Sequence, residues 1–379
     1  MLVIFVAAKV CSEIFERLHL PGVVGEILAG FVVGPYALGW IVPNQVTTVL
    51  SELGVMFLLF RVGLEVKSSE LLSLGGRATL IALAGVILPF ATGWGLARLW
   101  KLPSVESVFI GAALVATSVG ITAQVLAAGG WLEERASKII LAAAVIDDVL
   151  GLLVLAAVSG LARGSVSYLD LSITALLAIA FVILVATLGT RTISRVLPSI
   201  NSRLRLAESE FALALTLMFA LSLLAAYAGV AAIVGAFLAG MALSETVEHR
   251  VHDLTEGVTA LLVPFFLAGI GLHFDPTPFR DPSLLLLAGV LTVAAMLSKF
   301  IACGLAAYRF GRRDAIRIGV GMIPRGEVGM VVAQVGLATG IMAAGVFGTI
   351  VFVAVATTVL APPLLRLAFR PSARVPALH

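Results

Sequence analysis

Charge is scarce in this chain. Asp, Glu, Lys and Arg supply only 12% of its 379 residues, whereas hydrophobic residues supply 60%. A soluble domain carries about 25% charged and roughly 45–50% apolar residues, so the composition excludes an ordinary globular protein; the mean hydropathy is +1.11. Short alternating strands are missing too, which excludes a membrane barrel. Cysteine is limited to Cys11 and Cys303, both inside apolar runs and without metal-ligand spacing, and they read as inert core thiols. His19, His249, His252 and His273 fall in or beside loops and show no H-x-x-x-H pattern, which argues against a metal enzyme. No Walker-type loop, nucleophile elbow or dinucleotide fingerprint is present, so neither a primary pump nor a membrane enzyme is indicated. The net charge of +3 reflects basic loops and not a nucleic-acid surface. The opening MLVIFVAAKV has neither a basic n-region nor a cleavage site, so a removed signal peptide is not expected.

What the chain does have is long uncharged runs: 20 residues from Ala78 to Ala97, 26 from Ser107 to Leu132 and 34 from Phe211 to Ser244. Runs of roughly 18 or more read as membrane-spanning helices. Cutting the runs at charges and at Pro/Gly breaks predicts thirteen spans, near residues 1–18, 21–41, 45–64, 77–100, 106–128, 135–160, 170–197, 208–228, 230–246, 255–274, 283–308, 313–339 and 341–368. The 34-residue run is cut at Gly229. With the N-terminus outside, seventeen Lys and Arg residues fall on the cytoplasmic side, Arg317 among them, against four outside, namely Arg98, Lys101, Arg163 and Arg280. Basic residues collect in cytoplasmic loops, so the expected orientation is N-out and C-in. The fold class expected is an all-α polytopic membrane protein.

Four basic residues remain inside spans: Lys9, Arg61, Lys299 and Arg325. Their acidic counterparts at depth are Asp147, Asp148, Glu327 and Glu26. An ionised group in hydrocarbon costs several kcal/mol unless it is paired or lines a water-filled path. Lys9 and Arg61 lie close enough to span ends to snorkel. Asp147 and Asp148 are adjacent at mid-span, where side chains diverge by about 100° and so cannot share one task. Neighbouring anions also raise one another's proton affinity. Lys299 lies roughly 24 Å along its helix from Ser283 and about 13 Å from the other end; it either snorkels or pairs with Asp147 or Asp148.

Two spans look interrupted. Thr117, Ser118, Gly120 and Thr122 form a polar break in one; Pro324, Arg325, Gly326, Glu327 and Gly329 form a second. Freed backbone at depth is tolerated only where other helices or a polar cavity satisfy it, and broken helices line ion sites in transporters. A plain kink with back-bonded hydroxyls is the other reading of the first break. On an intact helix Arg325 and Glu327 would point about 200° apart. The glycine-rich stretch Gly25 to Gly39 reads as close helix packing.

The motifs Ala144-Val145-Ile146-Asp147-Asp148, Thr117-Ser118-Val119-Gly120-Ile121-Thr122, Lys299 and Pro324-Arg325-Gly326-Glu327-Val328-Gly329, together with LPGVVGEILAGFVVGP and VGAFLAGMALSE, resemble a bacterial sodium/proton antiporter of the monovalent cation:proton antiporter-2 family over the whole chain. The resemblance implies thirteen transmembrane helices with inverted repeats, and two broken helices, 106–128 and 313–339, crossing near the ion site. It also implies a scaffold and dimerisation domain (1–72 and 206–274), a mobile core (73–162 and 282–370) and a linker helix (165–200). Asp148 is then expected to bind the transported Na+ with Asp147 beside it, Lys299 to pair with Asp147 and carry a proton, and Thr117 and Ser118 to lie at the first crossover. No cofactor is implied; Na+ and H+ are the substrates. The expected setting is the bilayer of the bacterial inner membrane, with a homodimer as the assembly and no nucleic-acid partner. The first span, beginning at Met1, is about a turn shorter than its family counterpart.

Charge suggests how such a site couples. Asp147, Asp148 and a protonated Lys299 sum to −1; Na+ or a proton on Asp148 neutralises this, and an empty site is costly to move past an apolar gate. If Lys299 keeps its proton, exchange is electroneutral. If cation binding breaks its pair with Asp147 and it releases the proton, two protons exchange per Na+, the case the resemblance favours. A K+/H+ exchanger on the same fold is the main rival. An organic-anion symporter would not need Lys299 opposite two acids. A membrane sensor would need a soluble output domain, and about ten residues follow the last span.

Overall fold

In hydrocarbon a backbone must satisfy its own polar groups, which leaves the helix as the form available to long apolar runs. A computed structural model describes residues 1–18, 20–66, 68–162, 168–185 and 208–370, with 187 and 192. Among these, the regular structure is entirely helical. The helices are α1 (Leu2–Arg17), α2 (Gly22–Val33), α3 (Gln45–Leu64), α4 (Ser68–Leu99), α5 (Ser104–Ala113), α6 (Val119–Ala128), α7 (Arg135–Ala162) and α8 (Tyr168–Leu184). After these come α9 (Ser209–Tyr227), α10 (Ala232–Leu243), α11 (His249–Leu272), α12 (Pro282–Ala306), α13 (Arg312–Gly321), α14 (Glu327–Ala338) and α15 (Ala344–Phe369). Seven helical stretches among the described residues are long and apolar enough to cross a membrane. The expected linker over 165–200 is described only in part, as α8.

Local chemistry sets the breaks. Asn44 caps α3, accepting from the Val46 and Thr47 amides at 3.0 Å each while Thr47 Oγ1 accepts the Asn44 N–H. Asp281 caps α12 through the Ser283 amide at 2.9 Å, with Pro282 as the first helical residue. The long run Phe211–Ser244 is two helices, parted at Gly229, whose φ of 75° suits glycine alone at low cost. The expected span 313–339 is also two helices, α13 and α14, and 106–128 is α5 and α6.

The helices pack in two sets. In the first, α3 lies against α10 and α11, α2 against α1 and α11, and α9 against α10. In the second, α4 packs on α5, α7 and α12, and α12 on α13 and α15. The sets meet where α6 touches both α3 and α15.

The two halves of the chain repeat each other. A Cβ added at Gly25 would strike the Cys11 carbonyl of α1, and one at Gly235 the Leu221 carbonyl of α9. Each residue of the second pair stands 210 positions after its counterpart in the first. Thus α2 crosses α1 as α10 crosses α9, in both cases through a glycine that lets the backbones approach closely.

Several basic residues from separate helices gather at one end of the bundle. Arg77 and Arg135 both stand over the Phe310 ring, at 5.1 and 4.9 Å, and Arg366 near the end of α15 pairs with Glu16 of α1. Arg317, expected in a loop, is instead a buried residue of α13. It bonds Glu134 at 3.1 Å, donates to the Ala368 carbonyl at 3.3 Å and stacks 4.6 Å from the Phe369 ring. The run RRDAIR reads as a loop by its charges, but one helical face carries Arg317 inward.

Candidate functional site

The crossing of the two broken helices is built from residues with no helical partner for their polar groups. Helix α5 ends at Ala113 and α6 begins at Val119; α13 ends at Gly321 and α14 begins at Glu327. The intervening peptides touch directly, the Ser118 amide donating to the Pro324 carbonyl at 2.8 Å. A Cβ at Gly326 would lie 2.6 Å from Ser118 Cβ and Oγ, so the approach requires glycine. Arg325 lies in this non-helical segment, so the 200° divergence from Glu327 on an intact helix does not apply. The Glu327 side chain lies outside the described part of the structure; its backbone opens α14.

Together the two broken helices present two positive N-terminal ends, of α6 and α14, and two negative C-terminal ends, of α5 and α13, to the centre of the protein. The C-terminal end of α5 is met by cations. Lys299 Nζ donates to the Val115 carbonyl at 2.7 Å, and Arg325 Nη1 donates to the Val115 and Ala116 carbonyls at 2.9 and 3.2 Å. The end of α13 is met by neutral hydroxyls: Thr122 donates to the Gly321 carbonyl at 2.7 Å and Thr117 to the Met322 carbonyl at 3.4 Å.

Asp147 joins these parts. Its Oδ1 lies 2.8 Å from Lys299 Nζ, and its Oδ2 accepts the Thr117 amide at 2.9 Å. Neither Asp147 nor Lys299 has any exposed side-chain surface. Lys299 therefore does not reach the membrane interface. Its third donor goes to the Gly85 carbonyl at 2.9 Å, so all three ammonium hydrogens have acceptors. A neutral amine would leave one of those acceptors unmet, so this arrangement suits the protonated lysine.

Arg325 completes the charge set. Its Nη2 donates to the Ala295 carbonyl of α12 at 3.1 Å, and the whole side chain is buried. Because Lys299 and Arg325 share the Val115 oxygen, their charged nitrogens lie within about 6 Å, where like charges repel by about 3 kcal/mol at an effective dielectric near 20. Asp147 offsets that repulsion. Asp148, the next residue on α7, is also buried. The structure thus brings Thr117, Ser118, Asp147, Lys299, Pro324 and Arg325 into one connected centre with Asp148 adjoining it.

Lys9 and Arg61 are not simply snorkelling cations. Lys9 lies 3.4 Å from the buried Glu26, and Arg61 pairs with Glu256 at 2.9 Å. The residues that sequence reasoning missed are Thr357 and Thr358 of α15, which bind the Arg325 backbone: Thr357 Oγ1 accepts the Arg325 amide at 3.1 Å and Thr358 Oγ1 donates to the Arg325 carbonyl at 2.8 Å. Glu106 was also missed; buried on α5, it accepts the Ala343 amide at 3.0 Å at the start of α15.

Residues 2–370 match the family model described as sodium/hydrogen exchanger, transmembrane. The Na(+)/H(+)-K(+) antiporter GerN of Bacillus cereus is 36% identical over 97% of this chain and 94% of its own length. The high-affinity Na(+)/H(+) antiporter NhaS3 of a Synechocystis strain is 34% identical over 97% of this chain and 89% of its own length. The fold matches the sodium proton antiporter MjNhaP1 of Methanocaldococcus jannaschii, with a TM-score of 0.71 over 96% of this chain and 93% of that one, at 17% identity.

Proposed function

This chain belongs to the sodium/hydrogen exchanger family, and from that membership we propose that it exchanges Na+ for H+ across the bacterial inner membrane as a secondary transporter, not an enzyme. The observation that carries the assignment is the buried Asp147–Lys299 pair at the crossing, with Asp148 as its neighbour. Asp148 binds Na+ or a proton in turn. The two substrates compete for one carboxylate, and the competition couples their opposite movements.

Arg325 alters the charge count made from the two aspartates and Lys299 alone. Including it, the formal charges of Asp147, Asp148, Lys299 and Arg325 sum to zero when no substrate is bound. Na+ arriving with both cations still charged would set three positive groups against two carboxylates. Release of a proton by Lys299 restores neutrality. The repulsion from Arg325 favours that release once Asp147 turns from Lys299 toward the incoming ion. The proton-loaded site, with Asp148 and Lys299 protonated, then differs from the Na+-loaded site by one charge. Exchange of two protons per Na+ and net charge movement follow.

The first helix set, with segments 1–72 and 206–274, is assigned as the scaffold, and the second, 73–162 and 282–370, as the moving core, because each set packs within itself and the two meet chiefly at α6. The basic cluster around Phe310 and Phe369 is assigned to the cytoplasmic side under the positive-inside rule, which leaves the N-terminus outside. A homodimer through the scaffold is supported by the exposed apolar ridge of Leu2, Val6, Val10 and Ile14 on α1. K+ is retained as a second substrate because the name of GerN includes it.

The test is transport in proteoliposomes. An imposed Na+ or Li+ gradient should drive proton movement in the wild type, and Asp148→Asn should be silent. Undiminished exchange by Asp148→Asn would overturn the assignment; a response to K+ alone would favour the second substrate.

A further inference from the structure

The internal repeat places a second pair of side chains opposite the aspartates. The segment VGEILAG at 24–30 recurs as VGAFLAG at 234–240, a spacing of 210, and the same spacing carries Asp147 and Asp148 onto Thr357 and Thr358. The two crossovers carry parallel contacts at a nearby spacing, Arg325 standing 208 positions after Thr117. In the first half the Thr117 amide donates to Asp147 Oδ2 at 2.9 Å; in the second the Arg325 amide donates to Thr357 Oγ1 at 3.1 Å. Lys299 of α12 stands opposite Gly85 of α4, and its Nζ bonds that residue's carbonyl. The repeat is thus symmetric in backbone and asymmetric in charge.

We propose that Thr357 and Thr358 are positioning residues for exchange, a neutral counterpart of the aspartate pair that locks the second crossover as the fixed wall of the ion site. This rests on the exchange reading given above. Both polar groups of the Arg325 peptide lie in a segment with no helical partners, and the two adjacent hydroxyls satisfy both, the Thr358 bond being 2.8 Å. Thr357 also donates to the Val353 carbonyl at 2.8 Å, which fixes its lone pairs toward Arg325. Both threonines are buried, so water cannot take over either contact.

The asymmetry has a mechanical result. The first crossover is tied to Asp147, an ionised group whose partner changes through the cycle. The second is tied to hydroxyls whose state does not change between pH 5 and 9. The second crossover therefore keeps the Arg325 backbone in place, with its side chain on the Ala295 carbonyl of α12, while the first yields. A carboxylate at Thr357 or Thr358 would add a titratable anion beside Arg325 and remove that fixed reference.

The experiment compares Thr357→Val and Thr358→Val with Thr357→Ser and Thr358→Ser in proteoliposomes, with Na+ as the probe. Thr349→Val serves as the control, since that buried hydroxyl bonds only its own helix at the Gly345 carbonyl, 3.0 Å away. The valine variants should raise the KM for Na+ by about tenfold, as loss of a buried hydrogen bond implies. The serine variants should return it to within about twofold, and the control should match the wild type. Wild-type KM in both valine variants would overturn the proposal, as would equal impairment by serine and valine, which would trace the effect to the shape of the side chain and not to its hydroxyl. Loss of folded yield with an unchanged KM in the folded fraction would also overturn it. Amide hydrogen exchange over residues 322–330 provides a readout that does not depend on transport. Thr357→Val should speed exchange there and Thr357→Ser should not; unchanged protection would sink the proposal. An inactive wild type would count against the exchange reading, whereas an active wild type with indifferent valine variants would count against the threonines alone.

Discussion

Replacing Lys299 with Gln tests the charge account quantitatively. In the wild type the four buried charges sum to zero when empty, and the Na+-loaded and proton-loaded forms differ by one charge because Lys299 changes state. In Lys299→Gln the empty site, Asp147, Asp148 and Arg325, carries −1. Either Na+ or a single proton on Asp148 then brings it to zero, so exchange becomes one for one and moves no net charge. One elementary charge crossing 100 mV is worth about 2.3 kcal/mol, and each 1.4 kcal/mol is a factor of ten. At equal pH on both sides and a clamped potential of about 100 mV, the wild type should therefore build a Na+ gradient of about 50-fold. The variant should build none, although a pH gradient should still drive it. The Gln amide can meet two of the three acceptors that Lys299 Nζ serves, Asp147 Oδ1, Gly85 O and Val115 O, so slower turnover is expected alongside. The assay is equilibrium 22Na+ accumulation in vesicles clamped with K+ and valinomycin. A voltage-driven gradient of equal size in Lys299→Gln would refute the reasoning, and so would a wild type that ignores voltage.

Other residues give further outcomes. Gly326→Ala would place a methyl 2.6 Å from Ser118; overpacking of about 1–3 kcal/mol should lower both thermal stability and transport, whereas Gly257→Ala, with open space at its Cβ, should be neutral or slightly stabilising in a thermal melt. Arg317→Ala should cost stability by freeing Glu134 and the α15 carbonyls, and Arg317→Lys should not restore it, because an ammonium cannot stack on Phe369 and fork to two acceptors. Breaking the buried pair from its other side, Asp147→Asn leaves Lys299 beside Arg325; a buried charge left unpaired costs about 3–5 kcal/mol, so the melting temperature should fall further than in Asp147→Asn/Lys299→Gln. Equal melting temperatures for the single and double variants would contradict the pairing.

Much of this was legible in the sequence because hydrocarbon is an unforgiving solvent. Charges at depth are expensive, so Asp147, Asp148, Lys299 and Arg325 stood out from 379 residues by position alone. Gly229 marked the division of the longest apolar run, and the Pro324–Gly326 cluster marked a broken helix. What stayed hidden was carried by residues ordinary in composition. Thr357 and Thr358 read as threonines in an apolar helix, where hydroxyls commonly bond their own backbone, and only contact with another segment distinguishes them. Arg317 was hidden for the opposite reason: its charged neighbours Arg312, Arg313 and Asp314 gave the stretch the look of a loop, and only the helical phase turns it inward. Recognition of Lys299 by two backbone carbonyls, at Gly85 and Val115, could not be read either, since carbonyls carry no side-chain signature.

The central claim is that Na+ and protons compete for one buried carboxylate whose neighbouring lysine releases its proton in turn. The most direct measurement is the number of protons released into a weakly buffered solution when Na+ binds to the purified protein near neutral pH. Starting from the proton-loaded form, with Asp148 protonated, close to two protons per bound Na+ are expected in the wild type, one in Lys299→Gln and no Na+-dependent release in Asp148→Asn. Na+ binding without proton release, or release that persists in Asp148→Asn, would contradict it.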